Sequence, residues 1–362
     1  MKRTPLYQDH ANRGGKLVPF AGWEMPIQFA GILSEVKSVR SGAGIFDVSH
    51  MGRLVISGTD ADKLLDMLTT SHISRMQSGK AKYTLICNEN GGIIDDTIIY
   101  KHTPNKFLMI PNASNEEAII KWINRCAADL NYEIELQRVT TDTLMMALQG
   151  PQAAQILQPI CSIDLLNAKP FCIFEGKILG YDSTIATTGY TGETGVEIIC
   201  NLNDGPYLWS ELINLGVTPC GLGARDLLRI EAGLLLHGSD MNTNVSPLEA
   251  GLSRFVSFDK PAFFGRAIML SQQELGLGKS LIGFKLEDKG IPRHGYEILK
   301  NNDIIGEVTS GSYSPTLDTG IGLGYVPIEF SREDTELQVD IRGRMTKSKV
   351  VPLPFYSRKR SK

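Results

Sequence analysis

Apolar positions along this chain switch between a period of about two and a period near 3.6 residues, the spacings of a strand face and a helix face. Segment 53–57 (RLVIS) reads as a strand, 60–68 (DADKLLDML) as a helix, and 82–88 and 93–100 as the arms of a hairpin. A strand at 106–112 and a helix at 114–130 follow, the helix opened by a capping box of Ser114 with Glu117. The pattern predicts an α+β domain on an antiparallel sheet. Upstream, a helix in LSEVKSVRSG is stopped by Gly42 and Gly44 and leads into a short strand. Downstream, the strand TLMMALQG runs into PQAAQILQPI, with Pro151 set for the first helical turn. Strands flank a glycine-rich turn across 174–200, and GPYLWSELINLG and GARDLLRIEAGLLL read as helices. The stretch 273–281 (QELGLGKSL) is the linker candidate, and the hairpin-rich residues beyond it predict a small β-barrel-like domain.

Composition narrows the function. The 362 residues suit two or three domains at about 150 residues each. With 37 basic against 40 acidic residues and a net charge of −3, no basic field recruits nucleic acid, so the expected partner is a small molecule or a protein. No apolar run approaches the about 18 residues of a membrane span. The cysteines (87, 126, 161, 172, 200 and 220) form no C-x-x-C pair. With no signal-peptide pattern at the start, they read as reduced thiols of a cytoplasmic protein. The scattered histidines give no support for a metal cluster.

Three stretches could carry chemistry. In NGGIIDDTIIY (90–100) two consecutive carboxylates interrupt an apolar strand. Alternation sends Asp95 and Asp96 to opposite faces, so either both are solvated at a sheet edge or one is held in a cleft. In TTGYTGETGVEII (187–199) the glycines lack the lysine of a phosphate loop and precede a strand, which argues against nucleotide binding. Glu197 there faces either solvent or a polar ligand, and a carboxylate fork matches two adjacent N–H donors. In GARDLLRIEAG, Arg225, Asp226 and Arg229 form either a surface salt-bridge ladder or a ligand-orienting group.

Seven segments, FAGWEMPIQF, GIFDVSHMG, KYTLICNENGGIIDD, GYTGETGVEI, GLGARDLLRIEAG, PLEAGL and IGEVTSGSYSPTL with IGLGYVP, together resemble the T-protein family, the aminomethyltransferases of the glycine cleavage system. The likeness runs over essentially the whole chain, in the same order. It implies a three-domain cloverleaf around a central folate site, with a ferredoxin-like α+β domain and a C-terminal barrel. The expected divisions are 1–52 with 140–245, then 53–139, a connecting segment 246–279, and 280–362. The implied reaction moves the one-carbon unit from the aminomethyl-lipoyl arm of the H-protein to tetrahydrofolate and releases ammonia. By the family's motif Asp96 is the catalytic acid turned toward folate, with Asp95 on the opposite face and of lesser consequence. Met51, Tyr83, Asn112, Tyr190, Glu197, Arg225 and the C-terminal Arg360 are the implied folate-binding residues. Where many members have a tyrosine, this chain has His237, which stays outside the set. Folate-dependent demethylases and a folate-binding relative of iron–sulfur maintenance share the scaffold. The latter carries a cysteine motif where this chain has GYTGETG.

Overall fold

Residues 1–358 are described by the structure, a computed structural model, and its strands gather into four sheets. The chain divides into two compact units, one of 1–84 with 95–225 and one of 85–94 with 226 onward.

In the first unit, a six-stranded sheet runs in the order Ile173–Ile178, Tyr181–Ala186, Gly195–Asn201, Thr143–Gln149, Gly44–Asp47, Thr218–Cys220. All neighbours are antiparallel except the last pair. The Thr143–Gln149 strand is buried from Leu144 onward, so it lies inside the sheet with both faces covered. Leu144, Met146 and Leu148 share one face and enter a core with Ile45, Val196, Ile198 and Trp209. A five-stranded sheet takes the order Lys80–Cys87, Ile93–Thr103, Lys106–Ile110, Leu54–Ser57, Glu135–Arg138. A third, three-stranded sheet holds Lys2–Arg3, Trp23–Gln28 and Lys16–Phe20.

Three local expectations change. The helix predicted from Ser114 runs Glu116–Leu130 with Asn115 at its N-cap and no side-chain cap bond. The capping box fails because its members bond elsewhere: Ser114 Oγ donates to Asn115 Oδ1 (3.2 Å), and Glu117 accepts from Arg138 (2.6 Å). Pro151 lies ahead of the N-cap Gln152 of the Ala153–Leu157 helix, because the Gln152 N–H is taken by the Gly42 carbonyl. The proposed linker shrinks to 276–278, since a helix extends over Arg266–Leu275 and a strand begins at Lys279.

The second unit contains a closed antiparallel barrel in the order Lys279–Leu286, Thr319–Pro327, Asp303–Ser314, Glu297–Lys300, Glu336–Ile341, Arg344–Val351. Its interior holds Ile282, Phe284 and Leu286 at strand spacing, with Ile298, Val308, Val339 and Val350. The neighbouring strand TGIGLGYVP places glycine at every second position for a steric reason. A Cβ on Gly322 would lie 2.4 Å from the Phe284 ring, and one on Gly320 or Gly324 would lie 2.6 Å from Leu286 or Ile298.

Charge is also buried in this unit. The helix Leu222–Glu231 carries Arg229, which is only 2% exposed. Arg229 donates to Asp226 (2.9 Å), Leu234 O (3.1 Å), Asp240 Oδ2 (2.5 Å) and Ser310 Oγ (2.6 Å). Asp240 accepts further bonds from the Leu236 N–H and the Thr309 hydroxyl. The anticipated surface ladder is therefore a buried network that ties the helix to a barrel strand. Replacing Arg229 by Ala strands Asp240 as a buried charge, and the loss should be about 3–5 kcal/mol, read as a lowered urea midpoint with unchanged slope.

Candidate functional site

The acid pair sits on the Ile93–Thr103 strand, and Asp95, given the lesser part by resemblance, is the more enclosed of the two. Asp95 is fully buried, and Asp96 is the partly exposed member. Asp95 Oδ1 accepts from Asn112 Nδ2 (2.8 Å) and Asn115 Nδ2 (2.7 Å), and Oδ2 accepts from the Asn112 N–H (3.0 Å). The same Asn112 Nδ2 lies 2.9 Å from Asp96 Oδ1. The strand register explains the meeting. Ile98 pairs with Ile110, which sets Asn112 across from Asp96 just where its own strand ends, free to reach both acids. Tyr83 OH donates to Asp96 Oδ2 (3.0 Å) from the adjoining strand.

The electrostatics follow from burial. Desolvation pushes the Asp95 carboxyl well above the ordinary carboxylate range, and the neighbouring Asp96 charge pushes it further against the pull of the amide donors. The Tyr83 phenol is raised by burial first and then by Asp96, with Tyr190 and Asp95 adding to it.

A second group surrounds Glu197, which is 7% exposed on the Gly195–Asn201 strand and so not a solvent-facing residue. Thr188 Oγ1 lies 2.5 Å and Tyr100 OH 3.2 Å from Glu197 Oε2, and the two hydroxyls are 2.8 Å apart. Each hydroxyl has one proton, so the shortest arrangement is a relay in which Tyr100 donates to Thr188 and Thr188 to Glu197. Glu197 Oε1 takes no hydrogen bond among the described residues. The Arg225 guanidinium stacks 4.9 Å from the centre of the Tyr190 ring, and its Nη1 is buried without a hydrogen-bond partner among the described residues. Burial lowers the Arg225 pKa, opposed by the charges of Glu197 and Tyr190.

The glycine-rich turn owes its composition to Gln149. That fully buried amide donates to Thr188 O (3.2 Å) and Val196 O (3.4 Å) and accepts from Thr191 Oγ1 (2.9 Å). A Cβ on Gly189 would lie 2.0 Å from Gln149 Oε1, and one on Gly195 2.4 Å from Leu148 O. The loop is thus wrapped around a side chain, which places Thr188 and Tyr190.

Of the residues anticipated from sequence, hydrogen bonds join Tyr83, Asp96 and Asn112, and a ring contact joins Tyr190 with Arg225, whose charge feels Glu197. Met51 is half-buried, and its carbonyl accepts from Arg53 Nη1 (2.7 Å), with no hydrogen bond to either cluster among the described residues. Arg360 lies outside the described residues. Reading the sequence missed Tyr100, Thr188, Asn115, Gln149 and His50. His50 is buried with an unpartnered Nδ1, and burial, with the nearby Arg225 and Arg53, lowers its pKa to about 4 against the pull of Asp47.

With this geometry in view, the relatives are informative. The profile described as the GCVT N-terminal domain matches residues 6–260, and that of the glycine cleavage T-protein C-terminal barrel domain matches 279–357. The chain belongs to the glycine cleavage T-protein family. An aminomethyltransferase of Geobacillus kaustophilus is 42% identical over 99% of both chains, and one of Rubrobacter xylanophilus is 44% identical over 100% of this chain and 96% of its own. The crystal structure of glycine cleavage system aminomethyltransferase T from Bartonella henselae superimposes with a TM-score of 0.93 at 32% identity, covering 98% of each chain. As a member of the T-protein family the chain is a transferase of the aminomethyltransferase class. No helix among the described residues is long and apolar enough to cross a membrane.

Asp47 anchors the strand end that leads to His50. Burial alone would raise its carboxyl, but His10 (2.8 Å), the Thr4 hydroxyl (2.6 Å) and the Ser49 N–H hold it at about 2, below the ordinary 3.8. Folding lowers this pKa, so its stabilisation, about 2 kcal/mol, is complete above the unfolded value and disappears as pH falls through the folded one. The difference in unfolding free energy between the parent and Asp47→Asn should shrink as pH is lowered from about 5 to about 2, measured by urea titration at each pH.

Proposed function

We propose that this chain transfers the one-carbon unit of an aminomethyl group, carried on the lipoyl arm of the H-protein, to tetrahydrofolate, with release of ammonia and of the reduced lipoyl arm. The observation that carries the reading is the pair of unsatisfied groups on Glu197 and Arg225. An unbonded carboxylate oxygen on the 7%-exposed Glu197 and a buried, unpartnered donor on Arg225 suit a ligand that offers N–H groups beside a carbonyl, as the aminopteridinone ring does. In this reading Glu197 takes the ring's amino and N–H groups, Arg225 and Tyr190 lie beside it, and Tyr83, Asn112 and Met51 line the pocket. Arg360 is counted among the folate-binding residues by resemblance alone.

Asp96 is the reacting carboxylate of this proposal. Loss of ammonia from an S-aminomethyl group builds positive charge on carbon, and a folate nitrogen must give up a proton as it captures that carbon. A partly exposed carboxylate fixed by Tyr83 and Asn112 holds its orientation for both tasks. The folate acts as acceptor substrate, so none of these residues needs to be a nucleophile. A cytoplasmic setting belongs to the same reading, and it suits the six free cysteines.

The deciding experiment supplies aminomethylated H-protein and tetrahydrofolate and follows ammonia. Asp96→Asn should lower kcat by about 100-fold or more while folate binding weakens far less, the signature of a group that acts in the transition state. Unchanged turnover in this variant would remove Asp96 from the chemistry. In calorimetry the parent should bind tetrahydrofolate in the micromolar range, about −8 kcal/mol. Glu197→Ala should lose most of that heat, and full retention would refute the ring-reading role.

A further inference from the structure

We infer that Asp95 is a positioning residue for the transfer reaction, holding the Asp96 carboxylate in place through the amide of Asn112. The inference rests on the reading of Asp96 as the reacting carboxylate. It gives Asp95 a part that alternation along the strand denies it.

The case begins with how Asp95 is satisfied. A fully buried carboxylate normally has a cation nearby, yet no ion pair to Asp95 exists among the described residues. All three donors are neutral amides: the Asn112 N–H, Asn112 Nδ2 and Asn115 Nδ2. Two of the three belong to Asn112, so Asp95 grips that residue at both its main chain and its side chain. Asn115 supplies the third from the N-cap of the Glu116–Leu130 helix, which fixes Asp95 itself from a separate element.

The grip is passed on. Asn112 Nδ2 has two protons and three acceptors within reach: Asp95 Oδ1 at 2.8 Å, Asp96 Oδ1 at 2.9 Å and Asp96 O at 3.1 Å. The amide plane is therefore set by Asp95 on one side and presents a proton to Asp96 on the other. Asn112 cannot rotate to follow Asp96 without leaving Asp95 short of a donor in a dry site, which is costly. Asp96 is held from a second direction by Tyr83. Its carboxylate is locked in plane, with Oδ1 on Asn112 and Oδ2 on Tyr83. Such rigidity at a reacting oxygen contributes to rate and little to binding.

This arrangement predicts a particular kind of dependence. A residue that acts through Asp96 matters only while Asp96 is there, whereas a residue that merely supports the sheet matters in either background. Asp95→Asn should lower kcat for ammonia release by about tenfold or more and shift the folate dissociation constant by less than about threefold. In the Asp96→Asn background the same change should have almost no further effect on kcat. Multiplied losses in the double variant, or a kcat within about twofold of the parent in a folded Asp95→Asn, would overturn the proposal. Asn115→Ala removes one donor from Asp95 and keeps the side chains of Asn112 and Asp96, so it answers the same question if Asp95→Asn fails to fold. A fall in kcat that vanishes in the Asp96→Asn background supports the relay, and an unchanged or background-independent kcat refutes it. If Asp96→Asn alone leaves turnover intact, the reading of Asp96 fails instead, and the two failures are told apart by that single variant.

Discussion

A charge taken out of water must be met by donors, and in this protein the carboxylates closest to the candidate chemistry are met by neutral ones. Asp95 is held by amides, and Glu197 by a threonine that a tyrosine in turn supports. A lysine or arginine bonded to Asp95 would cancel its charge, and at Glu197 the buried Arg225 acts through its charge and not through a hydrogen bond. Amides and hydroxyls stabilise the ionised oxygens without neutralising them. The opposite choice is made at Arg229 and Asp240, where full charges are paired inside the second unit and nothing is left over for a ligand.

Glycine has a parallel part in shaping the surroundings. At Gly189 and Gly195 the missing Cβ lets main chain close over the Gln149 amide, and at Gly320, Gly322 and Gly324 it lets large barrel side chains reach across to the next strand. The first group positions Thr188 and Tyr190, and the second allows six strands to close around Phe284. The superficial likeness of GYTGETG to a phosphate loop thus has a packing explanation.

Much of the architecture was legible because periodicity reports directly on which face is covered. The hairpin and the helix Ala61–Leu68 fall within a few residues of the spans their patterns suggest, and the hairpin-rich C-terminal residues close into a barrel. The candidate residues Asp96 and Glu197 stood out where carboxylates break apolar strands, whereas Tyr83 came only from the family resemblance. What stayed hidden depends on contacts between distant segments. Strand alternation separates Asp95 from Asp96, but no local rule says that Asn112, at the end of the next strand, stands where both acids can reach it. Ser114 looked like the cap because its spacing to Glu117 fits a capping box, and nothing local shows that the neighbouring Asn115 reaches Asp95, 20 residues away in sequence. Tyr100 and Gln149 sit in apolar runs that read as ordinary core.

The hairpin that carries the acid pair is divided between compact units: its tip, 85–94, counts with the residues from 226 onward. During synthesis that tip leaves the ribosome well before the segments it bonds to, the Asn242 and Val245 carbonyls that receive the Ile93 N–H and the Thr243 carbonyl that crowds Gly92. Its sequence suits the wait. Asn88 Oδ1 accepts the N–H groups of Asn90 and Gly92, both at 2.9 Å, so the turn closes on its own side chain without help from later residues. Small and polar residues at the bend keep it soluble while it is exposed. The shape of this turn is thus written into residues 88–92 and does not depend on the later segments that pack against it.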